Sequence, residues 1–234
     1  HLQIEAMKLA LSDTEAYVAD IDYMDRITPE AMMEPAYLQE RAKLINLEQA
    51  TDFKVGEPKS IGTVYLSAAD ASGMMVSFIQ SNYAGFGSGV VVPETGIHLQ
   101  NRGAGFSLNP HSQNVVAPCK RPFHTIIPAF LTKNDQPLMS FGVMGGPMQA
   151  QGHLQMTLRT QLWDQDVQMA VDAPRWRVTG NLGIACETSF PEATLQALIE
   201  MGHDLTCEEP DNAFGFGGAQ LVARLENGAY AAGS

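Results

Sequence analysis

The chain has only three cysteines in 234 residues, an odd number for a disulfide framework and without a C-x-x-C pair. Cys119, Cys186 and Cys207 stand far apart, which argues against a thiolate zinc site and for buried free thiols. Long apolar runs are missing as well. Nothing approaches the roughly 18 uninterrupted residues of a membrane-spanning helix, so no membrane segment is expected. The start at His1 has neither the basic nor the apolar region of a signal peptide. It is not a methionine, which leads us to expect a fragment or trimmed product and leaves the compartment unread. Basic residues are scarce, 14 against 26 acidic ones, for a formal charge of −12. With no basic stripe to reverse it locally, that charge repels a phosphate backbone and excludes nucleic acid as a partner. The acidity itself reads as a solvated surface. The six histidines lack metal-ligand spacing, so neither metal nor cofactor is expected. His124 is the one to watch, as a pocket-lining residue rather than a base.

What is present is 45% hydrophobic residues, enough to bury the core of one large domain or two small ones. Residues 1 to about 50 read as helices. Leu2, Ile4, Met7, Leu11 and Val18 follow a helical period, Thr28 offers an N-cap before Pro29, and "PAYLQERAKLI" makes a further helix. The stretch "TDFKVGEPKSIG", with Gly56, Pro58 and Gly62, reads as an exposed connection. After it the pattern turns to short strands. "TVYLSAAD" and "MMVSFIQS" flank Ala71-Ser72-Gly73, which suits a three-residue hairpin loop. That register pairs Asp70 with Met74 and, counted back, sets the Ser81 hydroxyl beside Thr63. Further strands are expected at "GVVVP", "HTIIPAFLT" and "PLMSFGVM". "GGPMQAQGHLQMTLRTQLWD" reads as a glycine turn opening a long helix, and "SFPEATLQALIEMG" as another helix, capped by Ser189. "AQLVARLENGAYAAG" closes the chain as a hairpin through Asn227-Gly228. The element order points to an α+β sandwich.

Thr63 raises a chemical question. A threonine hydroxyl is a poor nucleophile unless a base takes its proton, and cleavage just before it frees an α-amine that can serve. Such an amine has an unperturbed pKa of roughly 7.7 to 8.0, so a useful fraction is unprotonated near neutrality. Gly62, without Cβ, lets the backbone twist so that the hydroxyl can approach the preceding carbonyl. Gly145 and Gly146 stand at the expected N-terminus of a helix, where unpaired N–H groups could hold an oxyanion. Each feature also has a plainer reading: a threonine opening a strand, and a tight turn before a helix. "GFGSG" and "GFGG" are turns rather than dinucleotide fingerprints, Met32-Met33 and Met74-Met75 are core or interface filler, and Asp172 with Arg175 suits a structural ion pair.

The segments "GTVYLSAADASG", "NYAGFGSGVVVPETGIHLQNRGAGFS", "KRPFHTIIPAF", "GVMGGPMQAQGHLQM" and "AVDAPRW" occur in an order and spacing that resemble the γ-glutamyltranspeptidase family. The resemblance covers nearly the whole chain. It implies a four-layer αββα sandwich of the N-terminal nucleophile hydrolase type. Residues 1–62 would be the C-terminal part of a large subunit, ending in a processing loop, and 63–234 a small subunit beginning at its nucleophile. It implies self-cleavage between Gly62 and Thr63, Thr63 as catalytic nucleophile, Ser81 as the hydroxyl that hydrogen-bonds it, and Gly145 and Gly146 as the oxyanion hole. The activity implied is that of a γ-glutamyltransferase or glutathione hydrolase-like enzyme acting on a small amide substrate, with the remainder of the large subunit as partner. A piece lacking part of that subunit would expose apolar surface through which copies could associate as a homo-oligomer.

The sequence departs from the family where substrate is recognised. A typical member holds the substrate's amino and carboxylate groups with an acidic pair before "FS", an asparagine after the second hydroxyl residue, and two adjacent serines. Here Ala104 and Gly105 replace the acidic pair, Arg102 stands where an acidic or amide residue is usual, Tyr83 replaces the asparagine, and His124 and Thr125 replace the serines. These versions resemble the transpeptidase-like branch that includes cephalosporin acylases. Arg102 could meet an acyl-side carboxylate such as a glutaryl group, or could be a surface or structural arginine. A glutaryl or cephalosporin acylase is therefore the alternative to a γ-glutamyl enzyme. An unprocessed or truncated member that keeps the fold without activity is the alternative of another class.

Overall fold

The computed structural model of the chain describes residues 1–54, 63–125, 127–209 and 215–234. Six α-helices are defined among them, α1 (Leu2–Tyr17), α2 (Pro29–Met33), α3 (Pro35–Ala42), α4 (Met148–Gln161), α5 (Val167–Asp172) and α6 (Glu192–Glu200), with short 3-10 turns at Ile21–Tyr23 and Arg102–Gly105. The strands are β1 (Val64–Ala69), β2 (Met75–Gln80), β3 (Ala129–Lys133), β4 (Gln136–Val143), β5 (Trp176–Gly180), β6 (Gly183–Glu187), β7 (Asp204–Glu208), β8 (Ala219–Arg224) and β9 (Tyr230–Gly233). They form a β1–β2 hairpin, a four-stranded antiparallel sheet in the order β3-β4-β8-β9, and a three-stranded sheet in the order β5-β6-β7, with β6 and β7 parallel.

The central strand β4 shows why the layers stack. Its alternate residues Met139, Phe141 and Val143 face α4 and α5, joining Met156, Val167, Ala170, Ala219 and Leu221 in one apolar core. The intervening residues face the hairpin. There the Tyr65 ring lies on the backbone of Gly142, where a Cβ would come within 2.8 Å of it. Ser67 Oγ donates to the Ser140 carbonyl at 3.1 Å, and Ser77 Oγ to the Ala129 carbonyl at 2.8 Å. Helices, sheet and hairpin thus form successive layers. The outward residues of the hairpin, Val64, Leu66, Val76 and Phe78, are exposed.

A second core joins α1 and α6 to the three-stranded sheet through Ile4, Met7, Trp176, Val178, Ile184, Cys186, Leu195 and Leu198. Because β5 is an edge strand, its free backbone groups need partners. The α4 glutamines supply them: Gln151 Oε1 accepts from Val178 N at 2.6 Å, while Gln155 accepts from Trp176 N at 3.1 Å and donates to its carbonyl at 2.8 Å.

The hairpin follows the expected register, with Ala69 opposite Met75, Asp70 N donating to the Met74 carbonyl at 3.0 Å, and Gly73 left-handed. Thr28 caps α2, accepting from Ala31 N at 3.2 Å. Other expectations are corrected. "GVVVP" forms no strand but a single bridge between Val91 and His98, having no sheet neighbour among the described residues. In "HTIIPAFLT" the strand begins only after Pro128, which has no N–H to give a ladder; Ile126 lies outside the described residues. Ser189 does not cap α6, which starts after Pro191 without a side-chain cap. Leu2 is exposed and Val18 lies past the end of α1. Met33 and Met74 are exposed rather than filling a core. Arg175 pairs with Glu187 at 3.5 Å, not with Asp172, whose carboxylate accepts from Gln168. All three cysteines are free, yet only Cys186 is buried. No helix among the described residues is long and apolar enough to cross a membrane.

Candidate functional site

The strand pairing carries Thr63 and Ser81 to the mouth of the β1–β2 hairpin. With Val64 opposite Gln80, the next pair outward is Thr63 and Ser81, and Thr63 Oγ1 donates to Ser81 Oγ at 3.4 Å. Ser81 Oγ also accepts from Tyr83 N at 2.9 Å. Gly62, the other half of the expected cleavage site, lies outside the described residues.

The hairpin runs antiparallel across β4, Ser67 on Ser140 and Tyr65 on Gly142. That offset of two residues on each strand, continued one step, points from Thr63 to Met144, the residue before Gly145. There the chain turns through Gly145 (φ +114°) and Gly146 (φ +59°), both buried, before α4 begins at Met148. Neither glycine's N–H donates a hydrogen bond among the described residues. Two buried donors without acceptors at a helix entrance suit a developing oxyanion. The turn is braced from behind by Gly217, where a Cβ would lie 1.8 Å from the Met144 carbonyl oxygen, and by Met144 N donating to the Gly218 carbonyl at 2.9 Å. "GFGG" is thus more than a turn: its close backbone approach sets the position of the glycine pair.

An open cleft of about 940 Å³ adjoins this turn. Gly146 lines it, and so do all five residues marked for recognition: Tyr83, Arg102, Gly105, His124 and Thr125. Thr63, Ser81 and Gly145 are not among its lining residues; Tyr83 is the link to them. The Arg102 guanidinium lies 4.1 Å from the centre of the Tyr83 ring and donates to Thr125 Oγ1 at 3.4 Å. Burial pulls the Arg102 pKa down from its ordinary value. Burial also lowers that of His124, helped by the nearby charges of Arg102 and Arg121. Gly105 leaves little space for a side chain, since a Cβ would stand 3.1 Å from the Phe123 carbonyl oxygen. Asn114 ties these two segments together, donating to the Gly105 carbonyl at 2.7 Å and accepting from Phe123 N at 2.9 Å.

Reading the sequence missed Asn114, and also Arg26, Gln149 and His153, which line the cleft. Gln149 and His153 stand one helical turn apart on α4, a spacing visible in "MQAQGH". Arg26 comes from a segment far away in sequence and carried no signal.

Among the described residues one group has the donors for a metal. His1, Glu5 and His203 bring ligand atoms within 4.8 Å of one another, although their sequence spacing gave no hint of it. Lys8 already supplies the cation there: its Nζ lies 3.0 Å from Glu5 Oε1 and 3.3 Å from His203 Nδ1. His1 Nδ1 and His203 Nε2 are 2.9 Å apart, and His1 Nε2 meets the Asn46 carbonyl at 2.8 Å. The donors are spent on one another, joining α1 to the turn before β7, and none lines the cleft.

The family model described as gamma-glutamyltranspeptidase matches residues 1–234. The crystal structure of a cephalosporin acylase from Bacillus halodurans superposes with a TM-score of 0.91 at 48% identity, over 99% of this chain and 42% of that one. The oxamate amidohydrolase proenzyme of Klebsiella pneumoniae is 37% identical over 97% of this chain and 44% of its own length. A glutathione hydrolase-like proenzyme of Bacillus subtilis is 35% identical over 87% of this chain and 39% of its own. The chain therefore spans less than half the length of these relatives, and it has the α+β fold of the N-terminal nucleophile hydrolases.

Proposed function

The chain belongs to the γ-glutamyltranspeptidase family, and from that we propose that it forms the nucleophile-bearing part of an amidohydrolase or acyltransferase that matures by cutting itself before Thr63. The observations that support this reading are the Thr63–Ser81 hydroxyl pair, at 3.4 Å, and the Gly145-Gly146 turn, whose two buried N–H groups have no acceptor among the described residues. In maturation the Thr63 hydroxyl attacks the Gly62 carbonyl, the acyl group passes from nitrogen to oxygen, and water hydrolyses the ester. The boundary between 1–62 and 63–234 is then the subunit boundary.

The freed α-amine takes the proton from Oγ1 as that oxygen attacks the amide carbonyl of a γ-glutamyl or related substrate. The N–H groups of Gly145 and Gly146 hold the oxyanion, Ser81 keeps the hydroxyl aligned, and the leaving amine departs with the proton. Water or an amine then releases the acyl group. The remainder of the large subunit is the partner that completes the molecule, and the exposed apolar face of Val64, Leu66, Val76 and Phe78 is the surface it would cover.

Intact mass of the full-length protein tests this. The expected result is a wild type that splits between Gly62 and Thr63 and hydrolyses an amide. Thr63→Ala should stay whole and inactive. A wild type that stays whole after prolonged incubation and turns nothing over would instead favour an unprocessed member that keeps the fold alone.

A further inference from the structure

We infer that Arg177 is a positioning residue for the Gly145-Gly146 turn, acting on it through the ring of Phe216 and the backbone of Gly217. The inference deepens the reading of that turn as the oxyanion hole and rests on it.

Side chains alternate along β5, so Trp176 and Val178 enter the core while Arg177 lies on the other face. There its guanidinium donates to Glu208 Oε1 at 2.5 Å and stands 5.6 Å from the centre of the Phe216 ring, within the range of a cation–π contact. Glu208 ends β7, and Phe216 comes just before β8. One side chain of the three-stranded sheet thus holds the entry to a strand of the other sheet, beside the turn that follows β4.

Phe216 is fully buried, and the residue after it has no slack. Gly217 is left-handed (φ +67°) and meets the turn at two points. A Cβ on it would lie 1.8 Å from the Met144 carbonyl oxygen, and a Cβ on Gly145 would lie 3.4 Å from the Gly217 Cα. Backbones packed this closely pass a displacement on, because one cannot move toward the other without pushing it. On another side the turn is less well supported. A void about the size of one water molecule lies between Gly145, Pro147, Gln151, Arg177 and Val178. The turn therefore has room to relax, and the segment that opposes this is the one Arg177 pins. An oxyanion donor is sensitive to a shift of a fraction of an ångström, whereas binding of the substrate in its ground state is much less so. Arg177 lines the void and not the cleft, so it acts without touching the substrate.

The test uses the matured, full-length protein and a γ-glutamyl or glutaryl anilide, whichever the wild type cleaves faster. Arg177→Gln should lower kcat by about tenfold at unchanged KM, less than the roughly 10²-fold cost of a 1 Å misplacement. Arg177→Lys keeps a cation over the ring and should recover part of that loss. Phe216→Leu should lower kcat as well, and adding Arg177→Gln to it should cost little more, because both act through one ring. A folded Arg177→Gln with the kcat of the wild type, a loss confined to KM, or losses that multiply in the double variant would overturn the inference while keeping the oxyanion hole. Should Arg177→Gln not fold, Glu208→Gln decides in its place: a lower kcat at constant KM supports the inference, and wild-type kinetics removes it. If the wild type cleaves neither anilide, the reading of the site as catalytic is what fails. For that case, and for a variant that does not mature, hydrogen exchange at the Met144 amide, which donates to the Gly218 carbonyl, shows whether Arg177 holds the turn. Exchange about tenfold faster in Arg177→Gln supports it, and equal rates in the two proteins remove it.

Discussion

At the proposed nucleophile end of the site the groups are two short hydroxyls and two backbone N–H groups, from Thr63, Ser81, Gly145 and Gly146. At the proposed recognition end they are larger side chains between the strands: Tyr83, Arg102, His124 and Thr125. Strand register and backbone torsion hold the first set in place. Ring stacking and hydrogen bonds between residues from separate segments hold the second. The two ends should fail differently. Damage to the first should appear in kcat, because an oxyanion donor acts on the transition state. Damage to the second should appear in KM and in the choice of donor.

The largest effect short of removing Thr63 is expected at Gly145. Its φ of +114° is open to glycine and costly for an L side chain, and an added Cβ would stand 3.2 Å from Met148 Cβ. Gly145→Ala should rotate the turn and misplace a donor. The expected loss is about 10²- to 10³-fold in kcat, with KM for the same anilide little changed. A variant that loses affinity but keeps kcat would place this turn at the recognition end.

A smaller and mixed effect is expected at Ser81, where the two ends meet. Ser81→Ala removes the acceptor of both the Thr63 hydroxyl and the Tyr83 N–H. Leaving such a donor unsatisfied costs about 1–3 kcal/mol. The result should be a fall of roughly tenfold in kcat/KM, shared between kcat and KM. Ser81→Thr keeps the hydroxyl and should recover most of it. A loss confined to kcat would show that Ser81 does not steady the Tyr83 platform.

The nucleophile end was more legible in the sequence, for a physical reason. A three-residue loop ending in a left-handed glycine fixes the hairpin register, and counting back from Gly73 leads to Thr63 and Ser81 without tertiary information. The glycine pair was legible as a turn for the same local reason. The recognition residues were marked only through the family resemblance, since nothing local says that Tyr83 and Arg102 will stack. Pairing between distant segments stayed hidden throughout. The β5–β6–β7 sheet was not foreseen, nor was the role of Gln151 and Gln155 in closing its edge, because an edge strand's needs become visible only once its neighbours are known. Arg175 found Glu187 across a strand pair rather than Asp172 nearby in the chain. Conversely, "GVVVP" has the composition of a strand but no neighbour to pair with among the described residues.

The smallest effect expected concerns His153, which lines the cleft from α4 and should alter stability more than selectivity. It sits on α4, its ring 5.5 Å from that of Phe141, and its Nε2 is buried without a partner among the described residues. Burial lowers its pKa from 6.5 to about 4. Between those values the unfolded chain takes up a proton that the folded chain refuses. The contribution to stability is therefore complete above pH 6.5 and is lost as the pH falls toward 4. His203 shifts the same way, to about 4, through burial and the charge of Lys8, so two histidines should add to the slope. His153→Phe removes one of them while keeping a ring against Phe141. Its melting temperature should fall less than that of the wild type between pH 7 and pH 5, by a few degrees at the scale of roughly 2–4 °C per kcal/mol for a chain of this size. Parallel curves for the two proteins would mean that folded His153 takes up its proton as readily as the unfolded chain does, so that at pH 5 the α4 face of the cleft carries a third cation.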